Sequence, residues 1–270
     1  MTLDQTITVN NATVSVKISG LGQKCIFFLH GSSMSAETWM PQLTNAGLQK
    51  EFKLIAIDIP GHGNSEWLNE RDRYGLKELA DVVKQVTEVF QPDEFTLVGL
   101  SLGTNIIGEI TPPLNNCTGI MLVSSCILND QFPPNVVITP GSMGHVIVAE
   151  NPTDSDLREY IYSQTKNTAL AERCINDYRK TDPAFRQALG HITMNAGWTD
   201  ELANIQQWQV PVCVVSGEEE RLVNTSYLNQ YPALWNQQVY RIRNAGHVIN
   251  EESPDAFNIL LLQFASAVFK

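Results

Sequence analysis

Short apolar runs alternate with amphipathic stretches along most of this chain. Cys25–Leu29, Leu54–Ile57 and Phe95–Val98 are nearly continuous apolar runs, which are typical of strands covered on both faces. Leu76–Phe90 places apolar residues at the spacing of one helix face. This order predicts an α/β fold with a mostly parallel, doubly wound sheet and helices on both faces. Further strand-like runs lie at 119–123, 210–215 and 239–242, and further helical stretches at 39–48, 102–110 and 254–269.

The N-terminal residues follow a different pattern, in which apolar and polar residues alternate. Thr6–Val9 and Thr13–Ile18 each have the period of two that is typical of a half-buried strand. The pair Asn10-Asn11 separates them. The pattern predicts an N-terminal β-hairpin.

Residues 126 to 205 break the alternation of strands and helices. This segment contains the pairs Pro133-Pro134 and Asp182-Pro183, and it has helical stretches such as Leu170–Tyr178. We interpret it as a helical cap that is inserted into the α/β core and packed over one end of the sheet. The expected organisation is therefore a core of residues 1–125 and 206–270 with a cap of residues 126–205.

Composition narrows the class of protein. The chain has 270 residues, of which 43% are hydrophobic and 17% charged, as expected for a soluble α/β domain with an insertion. Its net charge of −11 disfavours nucleic acid and anionic membranes as partners and leaves a small-molecule substrate. No apolar run approaches the roughly 20 residues of a membrane span, and the N-terminus lacks a signal-peptide pattern. A cytoplasmic location is expected.

The cysteines are odd in number and scattered, and none forms a C-x-x-C pair. Buried free thiols in a reducing compartment are expected, rather than disulfides or a metal site. The five residues are Cys25, Cys117, Cys126, Cys174 and Cys213.

The strongest chemical signal is the run Gly99-Leu100-Ser101-Leu102-Gly103, which directly follows the strand-like run 95–98. A helix-like stretch comes next, and a G-x-S-x-G motif between strand and helix is the context of a nucleophile elbow. In so tight a turn Ser101 takes a strained backbone, and side chains at 99 or 103 would collide with neighbouring elements. The hydroxyl would lie at a helix N-terminus, which favours negative charge. Ser101 is the expected nucleophile.

A serine hydroxyl needs a base within hydrogen-bond reach. His247 lies between the last strand and the last helix, at the strand end where open α/β sheets form their sites. His247 is therefore the expected base. His30 and His62 are expected to shape loops, and His145 and His191 to pack within the cap.

Three adjacent carboxylates, Glu218, Glu219 and Glu220, follow the strand-like run 210–215. A buried carboxylate at this place would hold the imidazole in the correct tautomer and stabilise the imidazolium. Glu220, three residues after Gly217, is the expected acid. Glu218 and Glu219 are expected to be solvated.

A tetrahedral oxyanion needs two preorganised donors. One expected donor is the backbone N–H of Leu102, directly after the nucleophile. The other comes from the loop after Cys25–Leu29, where the N–H of Ser32 is the best candidate. The Ser32 side chain could add a donor or could serve only the turn.

These motifs together resemble the α/β-hydrolase superfamily, in its compact single-domain branch with a helical cap. The resemblance implies that Ser101 is the nucleophile, that His247 is the base, and that Leu102 and Ser32 are the oxyanion donors. The expected mechanism needs no metal or organic cofactor. An aspartate would be usual where Glu220 stands. In some relatives the acid instead follows the strand before the cap, where this chain has Ser124-Ser125-Cys126 and, further on, Asp130, which fits less well. The matching pieces are Phe28–Ser32, Asp58–Ser65, Gly99–Gly103, Val210–Gly217 and Ala245–His247.

The leading hypothesis is a serine hydrolase that cleaves a small ester, lactone or thioester through an acyl-enzyme on Ser101. The same triad could serve C–C bond hydrolysis, a lyase step or perhydrolase chemistry, because this fold hosts many reactions. The alternative from another class is a ligand receptor or regulatory binding protein with very slow turnover. The substrate pocket is expected to be apolar and to include Met34, Trp39, Leu100, Phe132 and Val146.

Overall fold

A sheet of eight strands forms the centre of the computed structural model, which describes residues 2–68, 70–231 and 234–269. The strands are β1 (Leu3–Val9), β2 (Ala12–Ser19), β3 (Cys25–Leu29), β4 (Lys53–Ile57), β5 (Phe95–Leu100), β6 (Cys117–Val123), β7 (Val212–Gly217) and β8 (Leu234–Ile242). Their order is β1-β2-β4-β3-β5-β6-β7-β8. The pairs β1–β2 and β2–β4 are antiparallel and the other neighbouring pairs are parallel. The expected mostly parallel sheet with an N-terminal hairpin is confirmed.

Helices cover both faces of this sheet. The α-helices of the described residues are α1 (Met40–Leu43), α2 (Ala46–Glu51), α3 (Leu76–Phe90), α4 (Leu102–Glu109), α5 (Pro134–Val137), α6 (Asp154–Gln164), α7 (Thr168–Lys180), α8 (Pro183–Asn195), α9 (Glu201–Gln207), α10 (Ile249–Glu252) and α11 (Pro254–Val268). Buried residues of α3, α4 and α9 belong to one hydrophobic cluster, and buried residues of α1, α2, α7 and α11 belong to a second.

The central strand β3 shows why its sequence is apolar throughout. Phe27 and Leu29 pack into the first cluster, whereas Ile26 and Phe28 pack into the second. All four side chains are fully buried. Because successive side chains of a strand point to opposite faces, a strand covered on both faces has no position left for a polar side chain.

The stretch 39–48, expected as one helix, differs in the structure. Ala36–Trp39 is a 3₁₀ turn, and α1 and α2 follow as separate short helices. The break has a local cause, because Asn45 leaves the helical conformation and its side chain accepts a hydrogen bond from the N–H of Leu48 at 3.0 Å. Asn45 is thus the N-cap of α2, and an N-cap starts a new helix.

The last strand is longer than expected, beginning at Leu234 rather than at Val239. The added residues include Asn236, Gln237 and Gln238, which are polar and exposed. β8 is an edge strand, so polar side chains can face water there without disturbing the core. The polar residues at the start of β8 therefore lack the apolar pattern by which the other strands were predicted.

Segment 126–205 contains α5 to α8 and the start of α9, and within its described residues no strand is formed. Polar contacts tie α7 to the loops at the carboxyl ends of the core strands. The hydroxyl of Ser35 donates to Asp177 at 3.0 Å, and Arg173 is paired with Glu251. The hydroxyl of Thr38 also donates to Glu251, at 2.5 Å. These contacts hold α7 over the carboxyl ends of the strands, where Ser101 lies.

Three further features of the described residues bear on the class of the protein. All five cysteines are buried free thiols, as expected. No helix in the described ranges is both long enough and apolar enough to cross a membrane. The described residues also contain no group of three or more His, Cys, Asp or Glu side chains arranged to hold a metal ion.

Candidate active site

Ser101 lies at the turn from β5 to α4. Its backbone has φ 51° and ψ −116°, a conformation that costs a non-glycine residue about 1–3 kcal/mol. Backbone contacts hold it there: the N–H of Ser101 donates to the carbonyl of Val123 at 2.9 Å. The carbonyl of Ser101 accepts from the N–H and the hydroxyl of Thr104, at 2.7 and 2.6 Å. The turn therefore presents the serine side chain at the N-terminus of α4.

Gly99 and Gly103 make this turn possible. A Cβ added at Gly99 would lie 2.5 Å from the carbonyl oxygen of Gly103, on α4. A Cβ added at Gly103 would lie 2.6 Å from the carbonyl oxygen of Leu29, on β3. Both contacts are with backbone atoms, which cannot rotate away. The collisions expected for side chains at 99 and 103 are thus confirmed.

His247 and Glu220 form a buried pair. The Nδ1 atom of His247 lies 2.9 Å from Oε2 of Glu220, and both side chains are almost fully shielded from solvent. The other carboxylate oxygen of Glu220 accepts hydrogen bonds from the N–H groups of Leu222 and Val223, at 2.8 and 3.2 Å. The carboxylate is therefore held in one orientation, with one oxygen aimed at the imidazole.

Two further residues fix the backbone around His247. The carboxylate of Glu252 accepts from the N–H of Gly246 at 2.9 Å and from the N–H of Val248 at 3.2 Å. The hydroxyl of Ser124, just after β6, donates to the carbonyl of His247 at 2.8 Å. The histidine is thus held on both sides, and this limits the positions its ring can take.

Burial disfavours the charged forms of Glu220 and His247, but each charge stabilises the other. Burial raises the pKa of Glu220, but the charge and hydrogen bond of His247 and two backbone donors outweigh it, so the pKa lies below its ordinary value. Burial lowers the pKa of His247, but the charge and hydrogen bond of Glu220 and the charge of Glu252 outweigh it, so the pKa lies above its ordinary value. The site therefore stabilises an imidazolium next to a carboxylate.

The other candidate carboxylates lie elsewhere. Glu219 pairs with Lys166 at 2.5 Å, and both side chains are substantially exposed. Glu218 is about half exposed and lies 3.8 Å from Arg243. Asp130 is exposed, and no hydrogen bond of the described residues joins it to His247. Of the four acids considered, Glu220 is the one that contacts the imidazole.

Ser101 and His247 line one small cavity, of about 50 Å³. The Oγ atom of Ser101 contacts Sγ of Cys126 at 3.7 Å, and the described hydrogen bonds do not include one from Ser101 to His247. Hydrogen bonds at such sites are often long without substrate and tighten in the complex. Proton transfer to His247 would require the Ser101 side chain to rotate toward the small cavity.

Both expected oxyanion donors lie beside Ser101. Leu102 is the first residue of α4, so its N–H has no partner within the helix. Gly31 and Ser32 line the small cavity together with Ser101, and the Ser32 hydroxyl is buried without a hydrogen-bond partner among the described residues. Ser32, from the loop after β3, and Leu102, at the start of α4, therefore both line cavities that Ser101 also lines.

His30 and His62 hold the loop that carries Ser32. Nε2 of His30 accepts from the N–H of Ile59 at 3.0 Å, and Nε2 of His62 accepts from the N–H of Ser33 at 3.2 Å. Burial is the main cause that lowers the pKa of both rings. Because Nε2 of each ring accepts a backbone hydrogen bond, both rings are neutral and their accepting nitrogens are occupied, which matches the loop-shaping role expected for them.

A second, larger cavity of about 350 Å³ meets the small one at Ser101. The two cavities share Ser32, Ser101 and Ile147. Most of the larger cavity's lining is apolar and comes from segment 126–205, including Leu128, Val137, Ile138, Val148 and Leu189. His145 lies on its wall but is exposed to solvent, and His191 is exposed as well, so the expectation that both pack within the cap is wrong.

The residues expected to line the pocket need a correction. Met34 lines the small cavity, but the other four lie in the packed interior or behind the cavity wall. Trp39 is fully buried between Phe28 and Phe257, with ring centroids at 4.9 and 6.1 Å. Leu100 and Val146 are fully buried in the same hydrophobic cluster, and Phe132 packs on Tyr227 at 5.1 Å.

Three residues at the site were not singled out in the sequence: Cys126, Gln164 and Glu252. Glu252 had a local signal, since it belongs to an acidic pair five residues after His247. Cys126 and Gln164 had none, because each reaches the cavity through the packing of segment 126–205 on the core.

Comparison with known proteins agrees with this architecture. A family model described as alpha/beta hydrolase fold matches residues 24–254. The pimeloyl-[acyl-carrier protein] methyl ester esterase of Nitrosospira multiformis is 33% identical, over 93% of this chain and 98% of that protein. Other relatives match over a part only: the chain covers 5% of the protein PHYLLO of Arabidopsis thaliana and 24% of an esterase of Mycobacterium tuberculosis.

Solved structures share the whole fold. An N-acyl homoserine lactonase in complex with N-butanoyl homoserine has a TM-score of 0.89 at 23% identity, covering 99% of this chain and 98% of that one. The esterase RhEst1 of a Rhodococcus species has a TM-score of 0.82 at 20% identity, covering 99% of each chain. At these identities the likeness shows a common fold and leaves the substrate open.

Proposed function

Because the chain belongs to the alpha/beta hydrolase fold family, we propose that it is a serine hydrolase that cleaves carboxylic esters, lactones or thioesters through an acyl-enzyme on Ser101. Relatives named esterase or hydrolase support ester hydrolysis in general. The observation that carries the finer proposal is the meeting of a strained elbow serine and a carboxylate-held histidine at one cavity.

In the proposed first step, Ser101 Oγ attacks the carbonyl carbon of the substrate. His247 Nε2 takes the hydroxyl proton, and Glu220 stabilises the imidazolium that results. The raised pKa of His247 and the lowered pKa of Glu220 both favour this charge-separated state. The negative charge that develops on the carbonyl oxygen would be received by the N–H groups of Leu102 and Ser32.

In the proposed second step, the tetrahedral intermediate collapses. The bond to the leaving group breaks, and His247 returns the proton to the departing oxygen or sulfur, which leaves an ester on Ser101. A water molecule then attacks this ester while His247 accepts its proton. Transfer of that proton to Ser101 Oγ releases the carboxylic acid and restores the enzyme.

The cavity walls favour uncharged substrates. Among the described lining residues of either cavity there is no Lys, Arg, Asp or Glu. A carboxylate or phosphate bound there would lack a counter-charge, and burial of an unpaired charge is costly. The large apolar cavity is of the size that accommodates a medium-length acyl chain. We further propose that residues 126–205 act as a cap, since they contribute most of this wall.

The proposal is tested with p-nitrophenyl butyrate and a fluorophosphonate probe. We expect steady turnover of the ester and, by mass spectrometry, one phosphonyl group on Ser101. A single stoichiometric burst followed by near silence would instead support a slow-turnover receptor. Absence of any burst, together with modification of a residue other than Ser101, would contradict the acyl-enzyme.

The acid is tested by Glu220→Gln, which keeps the side-chain shape and removes its charge. We expect kcat to fall by about 10² to 10⁴, because the imidazolium loses its stabilising carboxylate. Since Glu220 raises the pKa of His247, the acidic limb of the pH–rate profile should also move to lower pH. Both quantities come from one set of pH–rate measurements.

Matched variants of the neighbouring acids serve as controls. Glu218→Gln and Glu219→Gln should stay within about a few-fold of wild type, because exposed charges contribute little. Asp130→Asn should behave in the same way. A crippled Asp130→Asn next to a nearly normal Glu220→Gln would assign the acid to the strand before the cap.

A further inference from the structure

The two cavities that meet at Ser101 differ in chemistry. The larger one is lined mostly by aliphatic side chains of segment 126–205. The smaller one, of about 50 Å³, has room for a group of only a few non-hydrogen atoms and carries hydroxyl, amide and imidazole groups. An ester bound at Ser101 would place its two halves in two unlike environments.

Proton transfer decides which half enters which cavity. His247 lines the small cavity and is absent from the described lining of the large one. In the proposed mechanism the departing oxygen must receive its proton from His247, so the leaving group lies on the His247 side. The small cavity therefore takes the leaving group, and the large apolar cavity takes the acyl chain.

Gln164, the last residue of α6, lines the small cavity with an unused acceptor. The residue is 8% exposed, and its Nε2 donates to the hydroxyl of Ser163 at 2.6 Å. That hydroxyl donates its own proton to the carbonyl of Tyr160 at 2.7 Å, so it can only accept from Gln164. The amide orientation is thereby fixed, and the buried Oε1 of Gln164 has no partner among the described residues.

Two other polar side chains of this cavity, Tyr178 and Thr165, already have partners, whereas the hydroxyls of Ser32 and Ser33 have none among the described residues. The hydroxyl of Tyr178 lies 2.8 Å from the carbonyls of Val146 and Ala149, and Thr165 Oγ1 accepts from the N–H of Asn167 at 3.2 Å. A buried acceptor without a donor costs about 1–3 kcal/mol. A ligand that donates to Gln164 Oε1 would remove this penalty.

We infer that the small cavity is a leaving-group subsite for an uncharged alcohol that carries its own O–H or N–H donor, and that Gln164 Oε1 accepts from this donor. The inference rests on the proposed ester hydrolysis and adds the class of alcohol to it. The donor is uncharged because no described carboxylate lines the cavity to pair with an ammonium group. Gln164 is thus a specificity-determining residue of the leaving-group side.

The test compares two esters of equal size, 2-hydroxyethyl hexanoate and propyl hexanoate. They differ only in a terminal hydroxyl or methyl group on the alcohol. After correction for their relative rates of alkaline hydrolysis, we expect kcat/KM to favour the hydroxyethyl ester by about 10- to 100-fold, since a propyl group leaves the Gln164 acceptor unpaired.

Gln164→Leu should abolish this preference, by lowering kcat/KM for the hydroxyethyl ester to the level of the propyl ester in the same variant, because the variant has no acceptor for the O–H group of the alcohol. Gln187→Leu is the matched control, since Gln187 is an exposed glutamine of α8 and should keep the wild-type preference. Fluorophosphonate modification of Ser101 checks that each variant is folded, and Gln164→Met replaces Gln164→Leu if the latter does not fold.

Two results would overturn the inference: equal corrected rates for the two esters in the wild type, or a preference that survives in the Gln164 variant. Both require that the esters are cleaved and that Ser101 is modified by the probe. If neither ester is cleaved and Ser101 stays unmodified, the proposed hydrolase function itself is wrong. The two failures are thus distinguishable within one experiment.

Discussion

Ser101→Ala is expected to lower kcat for ester turnover by about 10⁶-fold, because no other group in the elbow can form the acyl-enzyme. The substitution keeps the Cβ and the strained backbone of the turn, so the thermal unfolding midpoint should stay close to that of wild type. Initial rates with p-nitrophenyl butyrate, circular dichroism and fluorophosphonate modification measure the three effects together.

Cys126→Ala is the control for this variant, since the Cys126 thiol is the group that contacts the Ser101 hydroxyl. Burial raises the pKa of this thiol to about 12, so it is protonated and a poor nucleophile. The control should keep activity within about tenfold of wild type, a change of ~1.4 kcal/mol in the barrier. Full activity in Ser101→Ala, or probe attached to Cys126, would refute the assignment of the nucleophile.

His247→Ala is expected to be about as damaging as Ser101→Ala, because nucleophile and base act as a unit. In the wild type, kcat/KM should rise with pH as His247 loses its proton and becomes able to accept one. Since the pKa of His247 is raised, the midpoint of this rise should lie above the ordinary histidine value of 6.5. A pH–rate profile of wild type and variant measures both.

His145→Ala is the matched control, because His145 lines the large cavity away from Glu220. It should keep the pH profile of wild type, with effects confined to KM for long acyl chains. Retention of more than about a tenth of wild-type activity by His247→Ala would mean that another base serves, since a tenfold loss is only ~1.4 kcal/mol.

Local sequence signals were enough for the elbow and for most of the sheet. The strain at Ser101 follows from two glycines and a strand–helix junction, all within five residues. The apolar run of β3 follows from its cover on both faces. The pattern of apolar residues failed where a single side chain sets a helix boundary. It predicted one helix over 39–48, but the side chain of Asn45 caps a new helix there.

The lining of the cavities could not be read from the sequence for a physical reason. An apolar residue near a functional loop can face either a cavity or the core, and helical spacing is the same in both cases. Trp39 faces Phe28 and Phe257, which are 11 residues before it and 218 after it in the chain. Gln164 gained its position from the packing of α6 against the His247 loop, which no local pattern encodes.

The division of labour around Ser101 has a consequence for how this protein can diversify. The proposed nucleophile, base and acid belong to the parallel sheet and its loops, whereas the wall of the large cavity comes mostly from the inserted helices. Mutations in the insertion can therefore change acyl preference without touching the reacting atoms. Substrate preference and catalytic chemistry can therefore evolve separately, and changes in one contiguous stretch of the gene are enough to reach new substrates.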